Sequence, residues 1–413
     1  MLSNCEKVTR TFHSQERILK MTDVVVSVGM GLGQLAFIKR LRELGYNVIA
    51  FGKGKNSEEA EKLCLYSAQL NTHRSKEVIE WIDSLNVNVI GVGSFAGGQA
   101  VHTVQVLSDY YNAPTKIPSE LMVETSKEEQ QKLLEKYHLS SIHTWKAKDL
   151  SVEMVKREAN DDFIVKPANG RGSKGILFID KEALKKRLDN HDFQEDDVIQ
   201  VVKKGREYRC VFIIQNQKIK LLAPILRKSY RNTLFLGVLR YSEKDLNVIE
   251  KMMTAFIAQS GITNSIIKAD IIVSESSIDV IEMDIGVGGG GYFQHYVSKL
   301  FNKSIMDEYI NLIVNKPVGE FTVSNSQLRM DYVFNRSTSP IKYDLEKCYR
   351  FLSEKLGEVD IQVNILHPEH KGGFSSNADF IFTVIHNQTD TETINNFYVD
   401  DLTNDCLFDS IIS

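Results

Sequence analysis

Apolar positions along the chain switch between two periods. Val24–Val28 is a continuous β-branched run that closes on glycines, which predicts a buried strand. In Gln34–Leu44 the residues Leu35, Ile38, Leu41 and Leu44 fall on one helical face, and Gly45 ends the helix. Asn47–Phe51 reads as a second strand, Lys76–Leu85 as a helix and Val87–Val92 as a further strand. This βαβ alternation predicts a parallel sheet covered on both faces. Beyond Pro114 and Pro118 the pattern changes. Lys127–Tyr137 is a charged amphipathic helix, followed by strands at Phe163–Lys166, Ile176–Ile179, Val198–Val202, Tyr208–Ile214 and Lys218–Ala223. Gln215-Asn216 between the last two predicts a hairpin. Glu243–Ser260 is a helix, and Ile266–Val273 and Ser277–Met283 are strands about a turn at Glu275-Ser276. Lys316-Pro317 marks another boundary, and from Val318 strands and one helix, Tyr343–Leu356, predict a small α/β appendage.

Composition narrows the class. With 413 residues, 42% hydrophobic and 25% charged, the chain is expected to form a globular protein of two or three domains. Fifty basic against 54 acidic residues give a net charge of −4, too mild for a nucleic-acid surface. No apolar run approaches the roughly 20 residues of a membrane span. Residues 1–20 are polar and are expected to be a flexible arm. Cys5, Cys64, Cys210, Cys348 and Cys406 are scattered without a CxxC pair, which predicts ordinary thiols in a reducing cytoplasm.

Two clusters carry candidate chemistry. The first is Val165-Lys166-Pro167-Ala168-Asn169-Gly170-Arg171-Gly172-Ser173-Lys174-Gly175-Ile176, a lysine at a strand end and then a loop with three glycines. Such a loop can turn backbone N–H groups toward a phosphate, with Lys166 adding a point charge; the other reading is a glycine-rich hairpin. The second cluster is Asp270, Glu282 and Asp284. Glu282 and Asp284 are two apart and share a strand face, and Asp270 can face them across the hairpin. Three converging carboxylates favour a divalent cation such as Mg²⁺; three solvated charges at strand ends are the alternative.

In this order the two clusters resemble the ATP-grasp superfamily over residues 22–317, in its carbamoyl-phosphate-synthetase and biotin-carboxylase-like branch. The arrangement is similar to bacterial L-amino acid ligases, which join amino acids into dipeptides. The resemblance implies a Rossmann-like pre-ATP-grasp domain at 21–117, a two-part ATP-grasp domain at 118–317 and a C-terminal α/β subdomain at 318–413. It implies ATP with Mg²⁺ or Mn²⁺ as cofactors, and ligation of a carboxylic acid to an amine through an acyl phosphate, with ADP and phosphate released. Lys127 in Thr125-Ser126-Lys127 then resembles a first phosphate contact, Lys166 a second, and Gly170, Gly172, Ser173 and Gly175 a loop over the phosphates. Gln200 and Val202 occupy the adenine segment, where Glu is common at Gln200. Glu207 in Gly205-Arg206-Glu207-Tyr208 matches a ribose-binding Glu, and Asp270, Glu282 and Asp284 match the metal ligands.

One departure bears on catalysis. The family ending E-x-N-x-R reads Glu282-Met283-Asp284-Ile285-Gly286, so an arginine that would stabilise the transferred phosphoryl group is missing. Arg227, Lys228, Arg231 and Arg240 are candidates to replace it, with Arg227 and Arg240 taken as catalytic. The glycines Gly288–Gly291 suggest backbone approaching an acceptor, and Phe95-Ala96-Gly97-Gly98 a substrate loop at a strand end. Gly29-Met30-Gly31-Leu32-Gly33 is GxGxG, not GxGxxG, and Ala50-Phe51-Gly52-Lys53 brings no acidic residue for a ribose. It therefore reads as packing or substrate contact, not NAD binding. His367, His370 and His386 read as ordinary polar residues. Small-molecule acid and amine substrates are expected, and no nucleic acid or membrane partner; a homodimer is the common oligomer. A carrier-protein thiol or bicarbonate as acceptor, and nucleotide binding without ligation, stay open.

Overall fold

A computed structural model describes residues 21–54, 56–122, 126–167, 175–230, 234–238, 242–287, 292–334, 344–364 and 380–387. The fold is mixed α/β with a parallel and two antiparallel sheets. Strands β1 (Thr22–Val28), β2 (Asn47–Phe51), β3 (Tyr66–Ala68) and β4 (Val87–Gly93) form a sheet ordered β3-β2-β1-β4. Its pairs are parallel, as the alternation of strands with helices requires. Helices α1 (Leu32–Glu43), α2 (Glu58–Leu63), α3 (Ser75–Ser84) and α4 (Gln99–Tyr110) connect or flank these strands. Val24, Val26 and Val28 pack toward α3 and α4, and Val25 joins Phe37 and Ile38 of α1 in the main core.

Helix α5 (Lys127–Lys136) is capped by Ser126, whose hydroxyl accepts from the Glu129 amide at 3.3 Å. It leads into a small antiparallel sheet, ordered β5-β8-β6-β7, of β5 (Thr144–Lys146), β6 (Asp162–Lys166), β7 (Leu177–Asp180) and β8 (Val198–Val201). Helices α6 (Val152–Arg157) and α7 (Lys181–Asp189) pack on one side of it.

Strands β9 (Arg206–Gln215), β10 (Lys218–Tyr230), β11 (Leu234–Val238), β12 (Ser265–Val273) and β13 (Ile278–Ile285) build the larger antiparallel sheet. The β9–β10 hairpin turns on Asn216 and Gln217, both left-handed at φ 50° and 58°. That twist suits a two-residue turn. Helix α8 (Glu243–Ser260) starts on Ser242, which caps the Asp245 amide, and stops at Gly261 at φ 74°. Helices α9 (Tyr292–Phe301) and α10 (Ile305–Ile313) return to the parallel sheet, and Arg40 of α1 clamps Asp307 of α10 with two 2.7 Å bonds.

The C-terminal segment extends this sheet. Strand β14 (Arg329–Phe334) pairs with β11, and β16 (Phe380–His386) and β15 (Val359–Val363) continue the order to β13-β12-β9-β10-β11-β14-β16-β15, with α11 (Leu345–Leu356) packed against them. The Lys316-Pro317 boundary is thus not a boundary of the sheet. His386 is buried with its Nε2 2.8 Å from Asp331 Oδ2, and Arg329 Nε donates to Asp331 Oδ1 at 2.7 Å. His367 and His370 lie outside the described residues. Burial pushes the thiols of Cys64, Cys210 and Cys348 up, the first to about 11 and the last to about 12. None of the three is an activated nucleophile; Cys5 and Cys406 lie outside the described residues. No helix among the described residues is long and apolar enough to cross a membrane.

Candidate active site

The period of two along the strands builds the site. On β9, Arg206 and Tyr208 point to α8, where both bond to Asp245. Glu207 and Arg209 therefore point to the other face. On β12, Ile267, Ala269 and Ile271 join the apolar cluster under α8, which turns Lys268 and Asp270 to the same face as Arg209. On β13, Met283 and Ile285 are buried in that cluster, and Glu282 and Asp284 alternate with them. Cross-strand register sets Asp270 opposite both Glu282 and Arg209, and Lys268 opposite Asp284. The predicted meeting of Asp270 with Glu282 across the hairpin is present in the pairing.

Ion pairs lace this floor. Arg209 holds Asp270 through Nε and Nη2, both at 2.8 Å. Arg227, from β10, donates to Asp270 Oδ2 at 2.8 Å and pairs with Glu207. Lys268 Nζ lies 2.5 Å from Asp284 Oδ2. Burial alone would raise the Asp270 carboxyl, but Arg209 and Arg227 hold it well below the usual range. Burial pushes the Glu207 carboxyl up against the pull of Arg227, and pushes the Arg227 guanidinium down, partly offset by Asp270.

Two lysines face this floor from the small sheet and its helix. Lys127 opens α5 and donates to the Pro167 carbonyl at 2.9 Å. Lys166 ends β6 and donates to Gln200 Oε1 at 2.5 Å. The Gln200 amide nitrogen donates in turn to Thr144 Oγ1 at 2.9 Å and Gln131 Oε1 at 3.3 Å, so this side chain is fixed. Burial lowers the pKa of Lys166 to about 8, opposed by the charge of Glu282. Burial also lowers that of Lys127, again against Glu282. Gly175 sits at φ +73°, where a Cβ would come within 2.9 Å of Pro167 Cγ, so the two ends of the glycine loop close on each other. Gly170, Gly172 and Ser173 lie outside the described residues.

No protein-family model and no curated protein matches the chain. Solved structures do. An L-amino acid ligase from Bacillus licheniformis superposes with a TM-score of 0.67 at 13% identity, over 93% of this chain and 98% of that one. A phosphoribosylglycinamide synthetase from Anaerococcus prevotii gives 0.66 at 13% identity, over 92% and 98%. An N5-carboxyaminoimidazole synthetase from Staphylococcus aureus, complexed with ADP, gives 0.67 at 12% identity, over 93% and 98%. The chain has an ATP-grasp fold.

Against that fold, the residues read from the sequence divide into three groups. Lys127, Lys166, Glu207, Arg227, Asp270 and Glu282 come together through charge coupling, and Asp284 joins them through Lys268. Gln200 is near but supports Lys166 instead of opening to a ligand. The Val202 amide donates to the Asp162 carbonyl at 3.0 Å, so an adenine bond to that N–H would displace a backbone bond. Arg231 and Arg240, and the side chain of Lys228, lie outside what the structure describes. Arg209 and Lys268 were missed. The signal was available: each stands two residues from a chosen carboxylate, Glu207 or Asp270, on a strand.

The fold implies a divalent cation, and the donor set can be tested for it. Both Asp270 oxygens accept from guanidinium groups and Asp284 is paired with Lys268, while Glu282 is exposed. Among the described residues no group of three or more His, Cys, Asp or Glu is arranged to hold a metal. As arranged, the three carboxylates do not fit a cage for a cation. The charges of Asp270 and Asp284 are met by protein cations instead.

The parallel-sheet region packs against the end of β13. Gly29, at φ +104°, closes the first turn, and Gln34 Oε1 accepts from the Phe95 amide at 2.8 Å. The 94–98 loop is thereby tied to α1, and Ala96 and Val101 press on Gly286 at the end of β13.

Proposed function

We propose that this chain is an ATP-dependent, ADP-forming carboxylate–amine ligase that works through an acyl phosphate. One observation carries the reading. Lys127 and Lys166, from one half of the central region, are charge-coupled to the carboxylate and arginine floor of the other half. A polyphosphate placed between the halves would meet both lysines, and Glu207 would reach the ribose. An ATP-grasp fold and an ADP complex in a structure of that fold support this reading.

In the first step a substrate carboxylate oxygen attacks the γ-phosphorus. The bond to the β–γ bridging oxygen breaks, and ADP leaves. In the second step an amine nitrogen attacks the acyl carbon and phosphate departs with the bonding pair, the amine losing a proton to solvent or phosphate. The residues of the chain position the reactants and neutralise charge; no side-chain nucleophile is required. Amino acids are the first substrate class to try, because one structure of this fold is an L-amino acid ligase.

A phosphate-release screen over pairs of amino acids and small acids tests the proposal, with Lys166→Ala and Glu282→Ala beside the wild type. ADP and phosphate should appear only with an acid and an amine together. Lys166→Ala should lower turnover by about 10³-fold. Release of AMP and pyrophosphate would sink the reading, and unchanged turnover in both variants would discredit the site. The packing of Gly286 favours a second reading, nucleotide binding without ligation. It wins where ADP binds and no acid–nucleophile pair, thiols and bicarbonate included, stimulates turnover.

A further inference from the structure

We propose that Arg209 is the catalytic cation of this site, meeting the phosphoryl group as it passes from nucleotide to acid. The inference rests on the ligase reading above and names a residue that reading left out.

The argument begins with a position that is closed. Gly286 has φ +97°, and a Cβ there would stand 2.7 Å from Val101 Cγ2 and 3.3 Å from the Ala96 carbonyl. No long side chain can leave β13 at this point without moving the 94–98 loop. A cation for the transferring group must come from elsewhere in the chain.

Among the described residues, three cations on the floor compete for that role. Arg227 is divided between Glu207 and Asp270, on the side of the proposed ribose contact. Lys268 is held by Asp284 and offers a single point charge. Arg209 is fixed on the floor by Asp270. Toward the lysines it is coupled to the charges of Asp270 and Glu282. Its guanidinium also lies 5.9 Å from the ring centroid of Phe293, in the first turn of α9. Two bonds to Asp270 fix the plane of the guanidinium, so Asp270 is its positioning residue. Burial works against the charge of Arg209, yet Asp270 raises its pKa above the ordinary arginine value. A cation that is fixed and desolvated before the substrate arrives stabilises developing charge more than a mobile surface cation does.

The test needs neither the acid nor the amine. ADP affinity is measured by calorimetry on the full chain with magnesium, then again with fluoroaluminate added to mimic the phosphoryl group in flight. Wild type should bind ADP and tighten by about tenfold or more with fluoroaluminate. Arg209→Met should bind ADP within about twofold of wild type and lose the tightening. Arg209→Lys should recover part of it, and it carries the test where the methionine variant does not fold. Tightening retained in Arg209→Met overturns the inference, as does a parallel loss of ADP affinity, which would mark Arg209 as structural support. Wild type that binds ADP without tightening also overturns it. Wild type that binds no ADP defeats the ligase reading itself, a distinguishable result.

Discussion

Two arginine–aspartate pairs stand three residues apart on opposite faces of β9. Arg206 grips Asp245 with bonds of 2.6 and 2.8 Å, and Arg209 grips Asp270 with two of 2.8 Å. The geometry is almost the same and the surroundings are not. Asp245 also accepts the Tyr208 hydroxyl at 2.5 Å, and Arg206 is 54% exposed. The group is complete: one carboxylate, one cation partly in water, one hydroxyl, all tying α8 to the sheet. Asp270 receives a second guanidinium from Arg227, with Glu207, Lys268 and Glu282 close by, and Lys127 and Lys166 are coupled in turn to Glu282. Folding alone gives little reason to gather buried charges such as Asp270, Arg209, Arg227, Lys268 and Lys166, because burial penalises each of these five. The difference teaches that bidentate pairing does not identify a site. Charge gathered beyond what pairing requires does.

The sharpest way to break this contrast is to neutralise each aspartate in turn. Asp270→Asn keeps the shape but releases the two guanidiniums that Asp270 positions. Phosphate release should fall by about 10²–10³-fold, with ADP affinity nearly intact. Asp245→Asn should leave turnover within about twofold. Equal effects of the two substitutions on turnover would show that both pairs are framework and would remove the distinction drawn here.

Stability gives a second test of the Asp245 pair. Asp245→Asn leaves Arg206 and the Tyr208 hydroxyl without their carboxylate, which costs about 2–4 kcal/mol in urea denaturation. Its pH dependence follows from sign. The hydrogen bond from Arg206 outweighs burial and holds the Asp245 carboxyl at about 2, below its ordinary 3.8. The contribution is therefore complete above pH 4 and lost as pH falls from 4 toward 2. The asparagine variant should lack this component, so its stability deficit should shrink between pH 5 and pH 2.5. A constant deficit over that range would assign the acid sensitivity to other carboxylates.

Much of this contrast is written in the sequence, and part of it is not. Local periodicity placed Asn47–Phe51 and Glu243–Ser260 at the observed bounds, because each carries an uninterrupted pattern and its own stop signals. Alternation along β12 and β13 put Asp270, Glu282 and Asp284 on one face. What period alone cannot give is the partner of a charge. Arg206 and Arg209 look alike in the string Gly205-Arg206-Glu207-Tyr208-Arg209. Only the order β13-β12-β9-β10 sets Arg209 beside Asp270 and Arg227 beside both Asp270 and Glu207. The joining of β14 to β11 was equally hidden, since pairing between strands distant in sequence leaves no mark on either strand.

Lys166 offers the finest test, because it lacks what the floor cations have. Each of Arg209, Arg227 and Lys268 meets a carboxylate directly, whereas Lys166 meets the neutral amide of Gln200. Burial without a bonded anion lowers its pKa to about 8. Two consequences differ in sign. The phosphate grip needs the charged lysine, so ADP affinity should weaken as pH rises through 8. The fold pays for a buried charge, so stability should rise as pH climbs from 8 toward the unfolded value of 10.5. Gln200→Glu supplies a bonded carboxylate and should move the alkaline loss of ADP affinity upward by about one pH unit. At pH 7 the same change should weaken ADP binding a few-fold, by about 1 kcal/mol, because the new carboxylate competes with phosphate for the lysine. Affinities measured from pH 6.5 to 9.5 decide the matter. Coincident profiles for variant and wild type would mean that the alkaline limb belongs to another group, and that the neutral partner at Gln200 has no part in tuning the grip.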